Sequence, residues 1–493
     1  MRRRALYRDM LACAALVCMG FAAVYFYLSG TSPIQPDNFV WDSALFQVVG
    51  KLWADGLTPY VDIFDHKGPL LFLIQRIAYT FESPRVALYV LESLSVSATL
   101  LLGYACLRLR LKVLWSFAGT ALMLLFWLPL MEYGNLCETY CLPFIMLALY
   151  LQLRYLLSGK QKHPCLYALV YGLCFGANLM IRPNNGILIA VVTFVITMEL
   201  ATRREWLNIL QNALWLILGV AAVCLPFVAY FAVKDAMREF IYAVWRYNLE
   251  YAGSLEFRLD WQNLRGVLYY ITPSVLCIGL GLASLCQKKW LTASVLMLSA
   301  LATLAITLSG VGYAHYFMLH VPLMILALAY APTLMKGRWK WPVLLACAGF
   351  ALLTCHANLP YVKEGFLTPP TMEQAAQEAA YDELVGKLQS EIPVEDRNRV
   401  AVCGLLVTDA ELFIKSDLHP VGRYCFLMEW HSRADNAIKF RYLRSLQRGE
   451  AKWLIYREGG AGEDVMSVIE DLFTLQTYHE YDGVKYFVYR WKE

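Results

Sequence analysis

The sequence has few charged residues for its length. Only 17% of its 493 residues are Asp, Glu, Lys or Arg, whereas about a quarter of a soluble globular chain is charged. It contains no CxxC pair and no Cys/His cluster at zinc spacing, so it indicates neither a zinc finger nor a dithiol redox centre. The net charge of +4 gives no indication of a nucleic acid partner. The composition therefore excludes an ordinary soluble protein and indicates an integral membrane protein.

Long apolar runs occupy most of the first 357 residues. A membrane-spanning helix needs about 20 mostly apolar residues. This criterion predicts about eleven spans, at residues 7–29, 84–107, 113–131, 140–157, 165–182, 186–201, 207–233, 264–286, 290–309, 313–335 and 341–357. The run after Pro69, LLFLIQRIAYTF, is too short to cross and contains Arg76. We interpret it as a re-entrant or interfacial helix.

Basic residues in the short connections predict the orientation. The N-terminal arginines precede a first helix that we expect to be retained, and we place them in the cytoplasm. The cytoplasmic connections then contain Arg108, Arg110, Lys112, Lys160, Lys162, Arg203, Arg204, Lys288, Lys289, Lys336, Arg338 and Lys340. The opposite loops near 132–139 and 310–313 contain no Lys or Arg. The loop after the first helix and the C-terminal region should therefore lie outside the cytoplasm.

The composition changes after about residue 358, where charges become frequent. Alternating strand and helix patterns predict a small extracytoplasmic α/β domain at 358–493 with a mainly parallel sheet. The preceding domain, 1–357, would be the transmembrane domain and include an outer loop at 30–83. The C-terminal domain has no GxGxxG, P-loop or GxSxG motif. Cys403 and Cys425 would pair in an oxidising compartment, and two free thiols are the alternative.

The outer loop begins with an aspartate before an apolar periodic segment. The spacing of its apolar residues predicts an amphipathic helix from Ser43 to Ala54, lying on the membrane surface. Asp42 at its start has two interpretations. It is the N-cap of the helix, which satisfies free backbone N–H groups, or a carboxylate held at the membrane edge as a general base.

The same loop ends in Asp65-His66-Lys67-Gly68-Pro69. Lysine is a compact positive charge suited to binding a phosphate, and Gly-Pro sets a sharp turn into the next helix. The alternative is an interfacial lysine that extends its ammonium group among lipid headgroups.

Polar residues also gather at the predicted outer ends of several helices. Among them are Glu132, Glu138, Arg182, His315 and Tyr316. Ionisable groups at membrane depth usually face a cavity or a partner, so these residues predict either structural ion pairs or an outward-facing polar cavity. A Zn²⁺ or Mg²⁺ site built from Glu138, Asp65 and a histidine is an alternative that the spacing does not require. No cofactor is certain.

The segment DSALFQVVGKLWADGLTPYVDIFDHKGPLLFLI resembles the first outer loop of bacterial GT-C-type glycosyltransferases, which include relatives of protein O-mannosyltransferases and of the lipid A aminoarabinose transferase. Weaker resemblance extends to GNLCETYCLPF, MIRPNNG and YAHYFMLHVPL. Together these segments cover roughly the first 350 residues. Many members have a paired Asp-Glu or Asp-Asp, whereas here Asp42 precedes Ser43, and this departure leaves metal dependence open.

The resemblance implies inverting transfer of a sugar from a polyprenyl-phosphate carrier to an acceptor hydroxyl on a lipid, glycan or protein, at the outer face of a bacterial inner membrane. It assigns Asp42 as the base and Lys67 as the group that binds the carrier phosphate, with Asp65 and His66 beside it in the same substrate-binding site. It places Glu138, with Glu132, at a second acidic site. Arg182, His315 and Tyr316 would contact the lipid phosphate or the sugar.

Two other functions remain open at this stage. A flippase or transporter for polyprenyl-linked sugars would also need an outer polar cavity, but it would be expected to show repeats and polar groups near the membrane midplane. A non-catalytic membrane scaffold would use the α/β domain as its binding module.

Overall fold

The protein forms two compact units along a discontinuous chain. The structure, a computed structural model, describes residues 2–36, 41–254, 264–308, 313–367, 371–404, 410–424, 432 and 434–492. The first unit consists of Met1–Ser32, Tyr89–Phe227 and Glu256–Thr368, and the second of Pro33–Leu88, Val228–Leu255 and Pro369–Glu493. The outer loop thus belongs to the same compact unit as the C-terminal region. The domain boundary at residue 357 stays a prediction.

The first unit is a set of apolar helices. They are Arg2–Tyr27, Pro84–Arg108, Val113–Trp127, Cys137–Leu156, Cys165–Ile181, Ile187–Thr202, Trp206–Val233, Leu264–Tyr270, Thr272–Cys286, Trp290–Leu308, Val321–Leu334 and Lys340–Leu367, with 3-10 turns at Leu128–Leu130, Pro183–Gly186, Ala314–His320 and Gly337–Trp339. Some of these helices extend at one end into the second unit. The chain is a multi-pass α-helical membrane protein, as its composition predicts.

All eleven predicted spans are helical, but not all of them are long and apolar enough to count as membrane-crossing helices. Within the described residues, nine helices are long and apolar enough to cross a membrane, and the pair Leu264–Tyr270 and Thr272–Cys286, bent by 47°, makes up to ten. The bend coincides with Pro273 in the first turn of the second helix, where proline is tolerated but cannot continue a preceding ladder of hydrogen bonds. The predicted span at 165–182 is a shorter apolar helix of 17 residues, Cys165–Ile181.

Two glycines allow two helices of this unit to approach closely. A Cβ at Gly172 would collide with the backbone of Leu216, and one at Gly219 with the backbone of Leu169. Helices Cys165–Ile181 and Trp206–Val233 therefore pack with their backbones nearly touching, which small residues permit in membrane proteins.

In the second unit, the outer loop forms two packed helices, Trp41–Ala54 (the loop helix) and Pro69–Ala78. A Cβ at Gly50 would overlap Gln75, so the two helices meet at this glycine. Pro69–Ala78 has only 10 residues, about 15 Å of helix, and is too short to cross a membrane. The loop helix was expected to expose one face, but Ser43 to Trp53 is buried except at the half-buried Lys51. Other protein segments cover its polar face as well.

The described residues of the C-terminal region form a sheet of four strands. They are β1 (Val400–Cys403), β2 (Trp453–Arg457), β3 (Phe473–Tyr481) and β4 (Val484–Trp491), in the order β1-β2-β4-β3. Only β1 and β2 are parallel, whereas β2–β4 and β3–β4 are antiparallel, so the prediction of a mainly parallel sheet is wrong. The reason is a hairpin at Asp482-Gly483, whose φ angles of 50° and 71° suit the tight turns that join antiparallel strands.

The remaining helices of the second unit are Met237–Ile241, a π-helical turn at Tyr242–Arg246, Tyr247–Ser254, Met372–Ser390, Glu411–Lys415, Ala437–Gln447 and Glu463–Leu472, with a 3-10 turn at Val394–Asp396. Thr371 and Gln374 form a capping box at the start of Met372–Ser390, which fixes this end of the helix. The pairing of Cys403 with Cys425 lies outside the described residues, because Cys425 is not among them.

Candidate functional site

Asp42 lies in the first turn of the loop helix. The helix begins at Trp41, so Asp42 is the second helical residue and not the N-cap. A carboxylate there still complements the partial positive charge of a helix N-terminus. Asp42 is half-buried, and its carboxylate makes no hydrogen bond or ion pair within the part of the chain that the structure describes. It is therefore not held by a structural partner among those residues.

Lys67 lies near the same face of the loop helix. Residues four apart lie above one another on a helix, so Asp42 and Phe46 share a face. The Lys67 ammonium lies 5.7 Å from the centroid of the Phe46 ring. The fold thus brings the predicted base and the predicted phosphate-binding lysine to one side of this helix.

Tyr60 fixes the backbone that carries Lys67. Its hydroxyl donates to the Lys67 carbonyl oxygen at 2.7 Å, and its ring is fully buried against Phe72, Phe231 and Phe240. Burial raises the pKa of Tyr60 well above its usual value, so the hydroxyl stays a donor. Tyr60 has a φ of 70°, which is strained for a bulky residue. Such strain is found mainly where the surrounding structure enforces it.

Asp65, His66 and Lys67 form a connected group with Asn248. Asp65 Oδ1 accepts the Lys67 backbone N–H at 2.7 Å, while its buried Oδ2 has no hydrogen-bond partner among the described residues. His66 Nδ1 lies 2.8 Å from Asn248 Oδ1, and the Lys67 ammonium lies 3.0 Å from His66 Nε2. Asn248 also donates to the His66 carbonyl oxygen at 2.8 Å. Asn248 thus contacts both the ring and the backbone of His66.

A second cluster lies within the first unit, around Arg182. Arg182 forms an ion pair with Glu138, and its guanidinium lies 4.3 Å from the centroid of the Tyr316 ring. Arg182 leaves the helical conformation, with φ −153° and ψ 106°, because the residue before a proline is pushed toward extended backbone. Pro183 thereby ends helix Cys165–Ile181. Glu138 and Arg182 thus form an ion pair, which is one of the two arrangements that the sequence predicts.

Glu132 and His315 extend this cluster. His315 Nδ1 lies 3.1 Å from Glu132 Oε1, and the His315 and Tyr316 rings meet edge-on at 4.7 Å. Glu132 lies in a tight turn with Gly134 and Asn135, all three with positive φ. Glu132 and Glu138 lie on either side of this turn, and both contact the cluster, Glu132 at His315 and Glu138 at Arg182.

Sequence reasoning missed Glu92, the carboxylate that holds this turn. Glu92 is fully buried in helix Pro84–Arg108. It accepts hydrogen bonds from the Asn135 N–H at 2.7 Å and from the Thr31 hydroxyl at 2.5 Å. An ionisable residue inside an apolar span is a signal of function or of a specific partner, and this signal was present in the sequence.

The predicted site residues therefore fall into two groups. The second unit contains Asp42, Asp65, His66 and Lys67, and the first contains Glu132, Glu138, Arg182, His315 and Tyr316. No cluster of three or more His, Cys, Asp or Glu suited to a metal occurs in the described parts of the chain. One carboxylate oxygen of Glu138, an expected metal ligand, contacts Arg182, and its other oxygen is buried and makes no hydrogen bond to a described residue.

The sequence matches no protein-family model and no curated protein. Solved structures are similar in fold. ArnT from Cupriavidus metallidurans bound to undecaprenyl phosphate is 12% identical with a TM-score of 0.55, and the same protein in the apo state is 11% identical with a TM-score of 0.56; each match covers 97% of this chain and 97% of that chain. The Archaeoglobus fulgidus oligosaccharyltransferase tethered with an acceptor peptide is 12% identical with a TM-score of 0.50, over 98% of this chain and 74% of that chain.

These likenesses define the fold class. The chain has the fold of a GT-C-type membrane glycosyltransferase, with a C-terminal α/β region, over nearly its whole length. At identities this low, the likeness concerns the fold. Function has to be argued from the two clusters.

Proposed function

We propose that the protein transfers a sugar from a polyprenyl-phosphate carrier to an acceptor hydroxyl at the outer face of a bacterial inner membrane, with inversion at the anomeric carbon. The observation that carries the proposal is the placement of Lys67 beside the Asp42 face of the loop helix. A transferase of this kind needs one group for the departing phosphate and one for the attacking hydroxyl. The undecaprenyl phosphate bound to the similar ArnT structure supports the choice of donor.

The reaction is a single displacement. The acceptor hydroxyl gives its proton to the Asp42 carboxylate, and its oxygen attacks the anomeric carbon. The bond from that carbon to the carrier phosphate breaks, and its electron pair stays on the phosphate oxygen. Attack opposite the leaving group inverts the configuration, as in glycoside chemistry.

Lys67 stabilises the charge that grows on the phosphate. A fixed cation near a developing oxyanion lowers the barrier more in a protein site than in water. Asp65, Tyr60 and His66 hold the Lys67 backbone and ammonium group in place. We assign Asp65 and His66 to positioning rather than to direct phosphate contact.

The Arg182 cluster has a different role in the proposal. Glu138 neutralises much of the Arg182 charge, so Arg182 is a weaker phosphate ligand than the resemblance implies. The Tyr316 and His315 rings and the Glu132 carboxylate offer the stacking and hydrogen-bonding groups that bind a sugar or its lipid carrier. We assign this cluster to substrate binding, with the ion pair as its structural centre.

The proposed orientation of the protein in the membrane rests on the positive-inside pattern. Lys and Arg on the predicted inner connections support a cytoplasmic N-terminus, with the outer loop and C-terminal region on the opposite side. A lipid-linked sugar presented at headgroup depth on that side would meet the loop that follows the first helix.

A deletion strain complemented with variants tests the proposal. Mass spectrometry of cell-envelope glycans should show one sugar lost on deletion and restored by the unaltered protein. Asp42→Asn should restore none of it and Lys67→Ala little, while Glu82→Gln, an exposed carboxylate change in the same loop, should restore it fully. Expression of each variant in membranes is the control. Full restoration by Asp42→Asn would refute the assignment, and a flippase would change the sidedness of the lipid-linked sugar rather than its transfer.

A further inference from the structure

We propose that residues 410–424 of the C-terminal region, here called the clamp segment, position Lys67 for the lipid donor, with Arg423 as the positioning residue. The inference rests on the proposed function for its consequence, but the clamp itself is visible in the contacts of the second unit. It gives a role to the α/β region, in which the sequence shows no nucleotide-binding or catalytic motif.

The clamp segment holds the outer loop at three points. The Lys51 ammonium donates to the carbonyl oxygens of Phe413 and Ser416, each at 2.6 Å. His419 Nε2 lies 3.1 Å from Asp55 Oδ2. The third point is Phe64 in the stretch before Asp65, described next. The three points occur in the same order along the outer loop and the clamp segment, so these two segments run alongside each other.

Arg423 makes the contact nearest to Lys67. Its carbonyl oxygen accepts the Phe64 N–H at 2.7 Å. Its guanidinium lies 5.4 Å from the Phe64 ring centroid, 5.3 Å from that of Tyr242 and 5.4 Å from that of Tyr424. A guanidinium over aromatic faces is attracted to each of them. Arg423 therefore holds both the backbone and the ring of Phe64.

A continuous series of contacts leads from Phe64 to Lys67. The Phe64 ring meets the Tyr247 ring edge-on at 5.2 Å. Tyr247 in turn meets the His66 ring at 5.3 Å, and His66 Nε2 accepts from the Lys67 ammonium. Displacement of Phe64 would thus shift the ring on which His66 rests and, with it, the direction of the Lys67 ammonium.

The clamp segment is itself tied to the sheet. The Val421 N–H donates to the Val400 carbonyl oxygen of β1 at 2.9 Å. Nearer its start, the Lys415 ammonium lies 2.5 Å from the Asp382 carboxylate on helix Met372–Ser390. The α/β region therefore supplies a fixed frame for the clamp segment rather than a flexible tether.

Hydrogen exchange tests the clamp without reference to activity. In the full-length protein in nanodiscs, Arg423→Met should raise the exchange rate of the 58–68 amides about tenfold or more, and Arg423→Lys should raise it less, because lysine keeps the charge but not the planar group. Arg448→Met, a change at an exposed arginine of the same region, should leave it unchanged. Unaltered exchange of β2 amides confirms that the variants are folded. Unchanged exchange at 58–68 in folded Arg423→Met would overturn the proposal.

Binding of undecaprenyl phosphate tests the link to Lys67. Arg423→Met should weaken binding about fivefold to tenfold when Lys67 is present, and not further in a Lys67→Ala background, because residues that act through one another are not additive. Equal weakening in both backgrounds would show a general structural effect and overturn the positioning role. If the unaltered protein does not bind undecaprenyl phosphate, the proposed function fails, and the exchange experiment still decides whether the clamp exists.

Discussion

The His66 imidazole and the Lys67 ammonium share a hydrogen bond of 3.0 Å between Nε2 and Nζ. An ammonium group can only donate, so Nε2 must accept and the ring proton must be on Nδ1. That proton points to Asn248 Oδ1, 2.8 Å away. The Asn248 amide is oriented by its own NH₂ group, which donates to the carbonyl oxygens of His66 and Val244. One amide therefore sets the tautomer of the histidine that directs Lys67.

Asn248→Ala should weaken donor binding without removing the base. The substitution frees the His66 ring, so Lys67 loses its fixed direction but keeps its charge. We expect KM for the lipid donor to rise several-fold and kcat to change less than twofold, in steady-state transfer assays with the sugar that the deletion strain lacks. Asn436→Ala, at an exposed asparagine in the C-terminal region, is the matched control. A fall in kcat with unchanged donor KM would contradict the positioning role of Asn248.

Much of the fold could be predicted because the membrane limits the choices. Backbone groups in lipid must be satisfied within helices, so each apolar run became a helix near its predicted position. The failures occurred where local signals competed with the pattern. Pro273 bends one predicted span. The Asp482-Gly483 turn joins β3 and β4 into an antiparallel hairpin, where alternating strands and helices had predicted a mainly parallel sheet.

The site was predictable by residue type but not by partner. Arg182 and Glu138 were both singled out, yet nothing in their spacing of 44 positions indicates an ion pair. The role of Asn248 depends on a contact across 182 positions. Such contacts follow from the packing of distant segments, which a single sequence does not encode locally.

Breaking the Glu138–Arg182 ion pair by removing one partner should destabilise the protein more than removing both charges. The Glu138 side chain is 2% exposed and that of Arg182 16%, so removing one partner leaves the other charge buried. Arg182→Met alone should destabilise the protein by about 3–5 kcal/mol. Glu138→Gln combined with Arg182→Met should be less harmful than Arg182→Met alone. Thermal unfolding in detergent measures both variants, and a double variant less stable than Arg182→Met alone would contradict a paired role.

Gly50 should be intolerant of even one methyl group. A Cβ there would overlap Gln75 and press on its backbone, so the two outer-loop helices must separate. Gly50→Ala should cost about 1–3 kcal/mol, as overpacking does. Gly386→Ala is the matched control, because nothing lies within 4 Å of a Cβ at that helical position. It should stabilise the protein by about 0.5–1 kcal/mol. Thermal unfolding midpoints compare the two, and equal shifts would show that the helices are not in the described contact.

Glu411 should make the stability of the second unit depend on pH. Burial raises the pKa of the Glu411 carboxyl from 4.5 to about 8, although Lys415, 3.5 Å away, acts in the opposite direction. Asp382 and Glu378 compete for the same ammonium group and raise the Glu411 pKa further.

Because the folded state holds this proton more tightly than the unfolded state, the stabilisation is complete below about pH 4.5 and is lost as the pH rises towards 8. The unfolding midpoint should therefore fall by several degrees between pH 5 and pH 8. Glu411→Gln, which cannot ionise, should remove most of this dependence, whereas Glu373→Gln at an exposed site on helix Met372–Ser390 should retain it. Fluorescence-monitored melting of the full-length protein across this range provides the measurement. A midpoint that rises with pH in the unaltered protein, or a Glu411→Gln profile identical to it, would show that Glu411 is ionised in the folded state.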